Sequence, residues 1–277
     1  MSIKQQENGM RTIELEVDIP GTPEQVWQAI ATGPGITSWF ATTEVEERAG
    51  GAVSFHMGGG MDSTGTVTAW EPGHKFAYEE RDWAPGAPPL ATEFTIQARS
   101  GSLCTLRLVH SLFTSGEDWD DQLEGFELGW VPHFEVLKTY LTHFFGQPVT
   151  QFRSMSPFGS SETEAWSALV GTLGLEGARV GERRSTSAAI GIAGQVVHAG
   201  WSKHPTELVL RLEQPNPGMA LLGAWDWGGK TFLMTTLFFF GEQAAAVASR
   251  EQPRWEAWMQ GHFSAAGPMA ETGGEAS

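Results

Sequence analysis

At 277 residues the chain is long enough for one large or two ordinary domains. Seventeen basic residues against 33 acidic ones leave a net charge of −16, which argues against nucleic acid or an anionic membrane as partner. Its single cysteine, Cys104, excludes an intramolecular disulfide; its longest apolar run, FLMTTLFFF at 232–240, is too short to span a bilayer; and MSIKQQENGM holds no apolar signal region, so a soluble, cytoplasmic protein is expected.

In chain order, RTIELEVDI (11–19) alternates apolar and polar residues, with Ile13, Leu15, Val17 and Ile19 on one face of a half-buried strand. Pro20 and Gly21 end it. Thr22 caps a short helix with Pro23 at its first position, and Val26, Trp27 and Ile30 form the inner stripe. GPGITSWF (33–40) reads as a second short helix that turns Trp39 and Phe40 inward. Six strands follow, separated by Gly and Pro: 43–48, 52–57, 65–71, 75–83, 91–99 and 103–113. Then 120–145 predicts a long helix, because Leu123, Phe126, Trp130, Phe134, Leu137, Leu141 and Phe144 step by threes and fours along one face. The acidic run Glu117, Asp118, Asp120 and Asp121 suits the helix N-terminus. Pro132 removes one backbone hydrogen bond, which places a bend near Leu128, and Gly146 and Pro148 stop the helix. One strand, two short helices, six strands and a terminal helix describe an α+β domain with an antiparallel sheet.

The segments PEQVWQAI, the doublet Gly50-Gly51, GTVTAWEPGHKFAYEERDW and GW-x-x-HFEVLKTYL resemble, in order and spacing, the START-like, helix-grip superfamily. Within it they are most similar to the branch named for the activator of the heat-shock-protein-90 ATPase. The resemblance covers 11–145. It implies a curved sheet gripping the terminal helix around an apolar cavity. It does not imply one reaction, since the superfamily includes lipid carriers, hormone receptors, aromatase/cyclases and a co-chaperone.

The second half repeats the plan in shorter form. SSETEAWSALVGTL (160–173) echoes TPEQVWQAI, with Trp166 answering Trp27, and 147–158 supplies a first strand. Strand-like segments follow at 194–201, 207–213, 219–225 and 230–240, then a helical segment from Glu242, interrupted at Pro253, carrying Trp255, Trp258 and Phe263. The fold expected is two tandem helix-grip (START-like) domains, 1–146 and 147–263, each a curved antiparallel sheet around a long C-terminal helix. An unrelated α+β extension is the alternative for the second. The last residues, 264–277, hold nothing to bury and read as a disordered tail. Between Thr231 and Phe240 neither alternating face is polar, which predicts cover on both sides, through interdomain contact or a homodimer.

Cavity chemistry should come from inward strand faces. In 103–113 the inner face is Cys104, Leu106, Leu108, His110 and Leu112, which leaves His110 a lone imidazole among apolar groups. It is either a core histidine held by a backbone or hydroxyl partner, or a cavity hydrogen-bonding group and general base. In 75–83 the face Phe76, Tyr78, Glu80, Asp82 turns acidic towards one mouth. Glu80 and Asp82 are either a solvated strand end or, with His110, a catalytic set. Trp39, Phe55, Met57, Phe76, Tyr78, Phe94, Leu108, His110, Trp130 and His133 are the expected ligand-binding residues, although aromatics at such spacing also simply build cores. FHMGGGMDSTG joins two strands and lacks Gly-Lys-Ser/Thr, so it is a hairpin at the cavity entrance and not a phosphate loop. There is no HExxH, no calcium-loop spacing and no Gly-x-Ser-x-Gly, so no metal site, no cofactor and no serine elbow are expected. Cys104 reads as inert core. The function expected is binding of a small apolar or aromatic molecule. The alternatives are a cyclase/dehydratase-type or hydrolase-like enzyme without cofactor and a co-chaperone-like protein-interaction module.

Overall fold

The computed structural model describes residues 3–263, apart from 7, 8, 59, 60, 82, 85, 115, 188, 202, 203 and 228 and the side chain of 227. Asp82 and the expected tail at 264–277 lie outside the described residues.

The first sheet has eight strands: β1 Lys4–Gln5, β2 Arg11–Pro20, β3 Thr42–Val45, β4 Ala52–His56, β5 Ser63–Glu71, β6 Lys75–Glu80, β7 Leu90–Ala98 and β8 Leu103–Leu112. Their order is β1-β2-β8-β7-β6-β5-β4-β3, antiparallel throughout, so the first long strand lies beside the last. Helices α1 (Pro23–Ala31) and α2 (Gly33–Thr37) fill the crossover from β2 to β3, and α3 (Asp120–His143) follows β8. The expected strand 75–83 stops at Glu80; beyond it Pro88 and Pro89 have no N–H for a ladder, and Trp83 Nε1 donates instead to Pro88 O at 2.9 Å.

Local chemistry explains these elements. The Thr22 hydroxyl accepts from Gln25 N (3.3 Å) while the Gln25 side chain accepts from Thr22 N (2.9 Å), a reciprocal cap on α1. The doublet Gly50-Gly51 is needed for shape: Gly50 sits at φ 78°, and a Cβ on Gly51 would stand 2.4 Å from Glu46 O. Leu123, Trp130, Phe134 and Leu137 of α3 are buried, as the stripe predicts, with Pro132 inside the helix. Its start is fixed by a bidentate pair, Arg11 Nε and Nη2 on the two Asp120 oxygens. The opposite sheet face is wetter, with Arg107 Nε on Glu14 at 2.6 Å; hydrogen bonds from Arg107 and Lys4 hold the Glu14 carboxyl down to about 2.

The second sheet has six strands: β9 Val149–Phe158, β10 Arg183–Ser185, β11 Ala193–Trp201, β12 His204–Gln214, β13 Gly218–Trp227 and β14 Lys230–Phe240. Their order, β10-β11-β12-β13-β14-β9, again returns the first strand beside the last. Helix α4 (Glu162–Leu173) packs on β12 and β13, and α5 (Ala244–Phe263) follows β14, its Phe263 carbonyl accepting from Ser156 Oγ at 3.0 Å. A second reciprocal cap, Ser161 with Glu164, opens α4. Trp27 and Trp166 stand at the same offset after their caps; Trp27 is buried and Trp166 half-buried. The three-residue β10 had no sequence signal: Arg183, Arg184 and Ser185 offer no apolar period, and the strand is held at the edge by Arg183 on Glu213 (2.8 and 2.6 Å).

By compactness the chain divides into residues up to Gln151 with Phe238–Ala244, and Phe152–Leu237 with the residues from Ala245 on. Between Thr231 and Phe240 every residue but the half-buried Phe232 is buried within the single chain. Within the first unit Phe240 stacks on Phe144, ring centres 4.3 Å apart and planes 3° off parallel.

Candidate functional site

Antiparallel register lines up Ile13, His110, Thr92 and Tyr78 across β2, β8, β7 and β6. Because side chains alternate along each strand, Phe76, Phe94 and Leu108 share that inward face. Helix α3 lays Trp130 over it, 5.7 Å from Phe94 and 5.6 Å from His110 between ring centres.

The polar groups of this row form a chain. Trp130 Nε1 donates to His110 Nε2 at 2.5 Å, and His110 Nδ1 lies 3.0 Å from Thr92 Oγ1. An indole N–H can only donate, so Nε2 is the acceptor and Nδ1 carries the proton that goes to Thr92. Thr92 stands opposite Tyr78 across the β6–β7 ladder. Burial pushes the His110 pKa down to about 3, and the ring is neutral with both nitrogens engaged. Burial, then the nearby Glu80 charge, raise the Tyr78 pKa well above the ordinary phenol value, against the Thr92 hydrogen bond.

Beside Tyr78 is a small void lined by Ile30, Ile36, Trp39, Phe55, Phe76, Tyr78, Phe94 and Trp130. Its volume is about 10 Å3, room for roughly one water by size. Over Trp130 lies Phe40, half-buried, stacked at 5.2 Å and 13° and set edge-on to Phe55 and His133. Towards the strand end, Glu80 is buried and accepts from Ser63 Oγ at 2.5 Å; burial raises its pKa to about 7 despite that bond.

Of the expected ligand-binding residues, Trp39, Phe55, Phe76, Tyr78, Phe94 and Trp130 line the void. His110 and Leu108 share its sheet face without lining it. Met57 is half-buried just past β4, and His133 is half-buried with Nδ1 donating to Gly129 O at 2.7 Å. Of the expected catalytic set, Glu80 occupies a buried position and not a solvated strand end. Ile30, Ile36 and Thr92 were missed, although Thr92 has the same inward parity as Phe94. FHMGGGMDSTG does join two strands, β4 and β5. Cys104 is buried, its thiol pushed up by burial and then by the Glu24 charge.

The second domain holds a different polar cluster. His198 Nε2 lies 2.6 Å from Glu207 Oε1, and His204 sits between Glu207 (Nε2, 3.7 Å) and Glu162 (Nδ1, 3.5 Å), with Thr206 Oγ1 donating to Glu162 at 2.5 Å. The Glu162 hydrogen bond raises the His204 pKa, burial opposes it, and the charges of Glu207 and Glu162 add to the rise. Among the described residues no group of three or more His, Cys, Asp or Glu could hold a metal ion, and no helix is long and apolar enough to cross a membrane.

An antiparallel sheet around its C-terminal helix, with the first long strand returned beside the last, defines the helix-grip fold, and this chain carries it in two tandem copies. Residues 20–142 match the family described as "Activator of Hsp90 ATPase homolog 1-like protein". The chain is similar to the di-domain ARO/CYC BexL from the BE-7585A biosynthetic pathway, at 11% identity over 89% of this chain and 98% of that one, TM-score 0.45. It is similar to DynU16 of the dynemicin biosynthetic locus, at 15% identity over 89% and 95%, TM-score 0.41. It is also similar to the Aha1 dimer from Colwellia psychrerythraea, at 20% identity over 47% of this chain and 95% of that one, TM-score 0.38. Comparison with curated proteins yields no match.

Proposed function

We propose that the first of two domains, 1–146 and 147–263, binds a small apolar or aromatic molecule in the cavity under α3. The observation that carries this reading is a void walled by aromatic and aliphatic side chains, with Tyr78 the one hydroxyl-bearing residue among those that line it. In the closed state the void is water-sized, so binding requires a wall to move. Phe40 is the group to move: it is half-buried, follows the short helix α2 and stacks over Trp130. The titration of wild type and Phe40→Ala with the apolar fluorophore N-phenyl-1-naphthylamine tests this. One saturable site per chain is expected, with association about tenfold faster in the variant. Saturable binding by neither protein overturns the reading.

A second reading, a cofactor-free cyclase or dehydratase, is favoured by one observation: Glu80 is a buried carboxyl with its pKa near 7, suited to passing a proton at neutral pH. His110 is unsuited to act as base here, since its acceptor nitrogen is taken by Trp130. Turnover that survives His110→Gln and disappears in Glu80→Gln would establish the enzyme. The co-chaperone role suggested by the family description has no docking surface assigned in this chain.

A further inference from the structure

The side chains around the void carry three hydrogen-bonding groups: the indole N–H of Trp39, the indole N–H of Trp130 and the phenol of Tyr78. Two are committed. Trp39 Nε1 donates to Ala29 O at 2.9 Å, and Trp130 Nε1 donates to His110 Nε2. An indole has one donor and no acceptor, so neither has anything left for a ligand.

The third group is constrained in direction. Trp130 fixes the His110 tautomer, so His110 Nδ1–H points its proton at Thr92 Oγ1. Thr92 stands opposite Tyr78 across the β6–β7 ladder and has a proton to give. A phenol both donates and accepts, so a hydrogen bond received from Thr92 leaves its O–H to donate. The adjacent carboxylate, Glu80, takes its hydrogen bond from Ser63. The donor left over belongs to a side chain that lines the void.

We propose that the Tyr78 O–H is the specificity-determining donor of this cavity, and that the ligand is an aromatic molecule bearing a carbonyl or similar acceptor oxygen, not a plain hydrocarbon. The inference rests on the cavity reading above and adds polarity to it. A ligand that brings an acceptor satisfies the buried phenol; one that does not leaves it unpaired, and sites of this kind discriminate against such analogues.

The test uses the full chain and two probes of nearly equal shape, 1-acetylnaphthalene and 1-ethylnaphthalene, each titrated into wild type and Tyr78→Phe. The ketone is expected to bind wild type about tenfold more tightly than the hydrocarbon. In Tyr78→Phe the two should bind equally, with hydrocarbon affinity retained as evidence that the variant is folded. The carbonyl stretch of the bound ketone should lie at lower frequency in wild type than in the variant, a shift that mere loss of packing does not produce. Equal binding of both probes to wild type overturns the donor assignment while leaving the cavity reading intact. An unchanged ketone preference in Tyr78→Phe also overturns it. Binding of neither probe overturns both.

Discussion

The two domains share a topology and differ in what they do with buried polarity. In the first, His110 is neutral, flanked by an indole and a hydroxyl, and its hydrogen bonds run towards a void walled by aromatic rings. In the second, His204 is flanked by the carboxylates Glu162 and Glu207, which favour its charged form, near the start of α4. The second sheet is also buried on both faces along 206–210, 219–224 and 233–240, with Leu208, Leu222 and Phe238 among its fully enclosed side chains. The lesson is that the helix-grip frame fixes where strands and helices lie, and leaves the chemistry of the gripped space to a few inward positions. Neutral donors beside a void suit a ligand. An ionic cluster beside strands buried on both faces suits stability.

The largest expected effect tests the burial of both faces of β14. Leu237 and Phe238 point to opposite faces of β14, and both are fully buried in the single chain. Leu237→Asp and Phe238→Asp should each cost up to about 5 kcal/mol or prevent folding, because each buries an uncompensated charge. Denaturant unfolding with light scattering checks this. A folded, fully stable monomer from either variant would show that face to be a subunit contact and not part of the core.

Next comes pH, where two groups of the first domain should respond with opposite sign. His110 has its folded pKa depressed from 6.5 to about 3, so its stabilisation is present above pH 6.5 and is lost as pH falls towards 3. Glu80 has its folded pKa raised from 4.5 to about 7, so stability falls as pH rises from 4.5 to 7. Between pH 4.5 and 6.5 these slopes oppose each other. Glu80→Gln should therefore unmask a gain on the order of 5 kcal/mol from pH 3 to 6.5, and His110→Gln a loss on the order of 3 kcal/mol from pH 4.5 to 7. His204, with its pKa raised, stabilises below about pH 6.5 and ceases to as pH climbs through its folded value. Unfolding curves across this range decide; a His204→Gln variant that keeps the high-pH decline would remove His204 as its cause.

These sign differences were not legible in the sequence. Periodicity gave α3 its buried stripe and gave β8 its inward His110, since both depend only on local spacing. Alternation also brought Phe76, Tyr78 and Phe94 to the cavity wall. What spacing cannot supply is the partner across a ladder: Thr92 is 18 residues from His110 and Trp130 is 20 away. The Arg11–Asp120 pair, 109 residues apart, was likewise hidden, and Asp120 read only as a complement to the helix end. Glu80 was ambiguous because an acidic residue at a strand end is usually wet; only the fold shows it enclosed beside Ser63.

The smallest effect sharpens the likeness of the two domains. Thr22→Ala and Ser161→Ala each remove one half of a reciprocal helix cap, and each should cost about 1 kcal/mol. Thermal unfolding of both variants checks that the caps are equivalent; a neutral Ser161→Ala would mark the second cap as decorative.

The central claim is that a ligand enters the first domain and not the second. Hydrogen–deuterium exchange of the full chain with and without 1-acetylnaphthalene tests it most directly. Slowed exchange confined to 33–57 and 126–134 is the predicted result. Slowed exchange at 149–158 and 230–240 instead, or no change anywhere at saturating ketone, would contradict it.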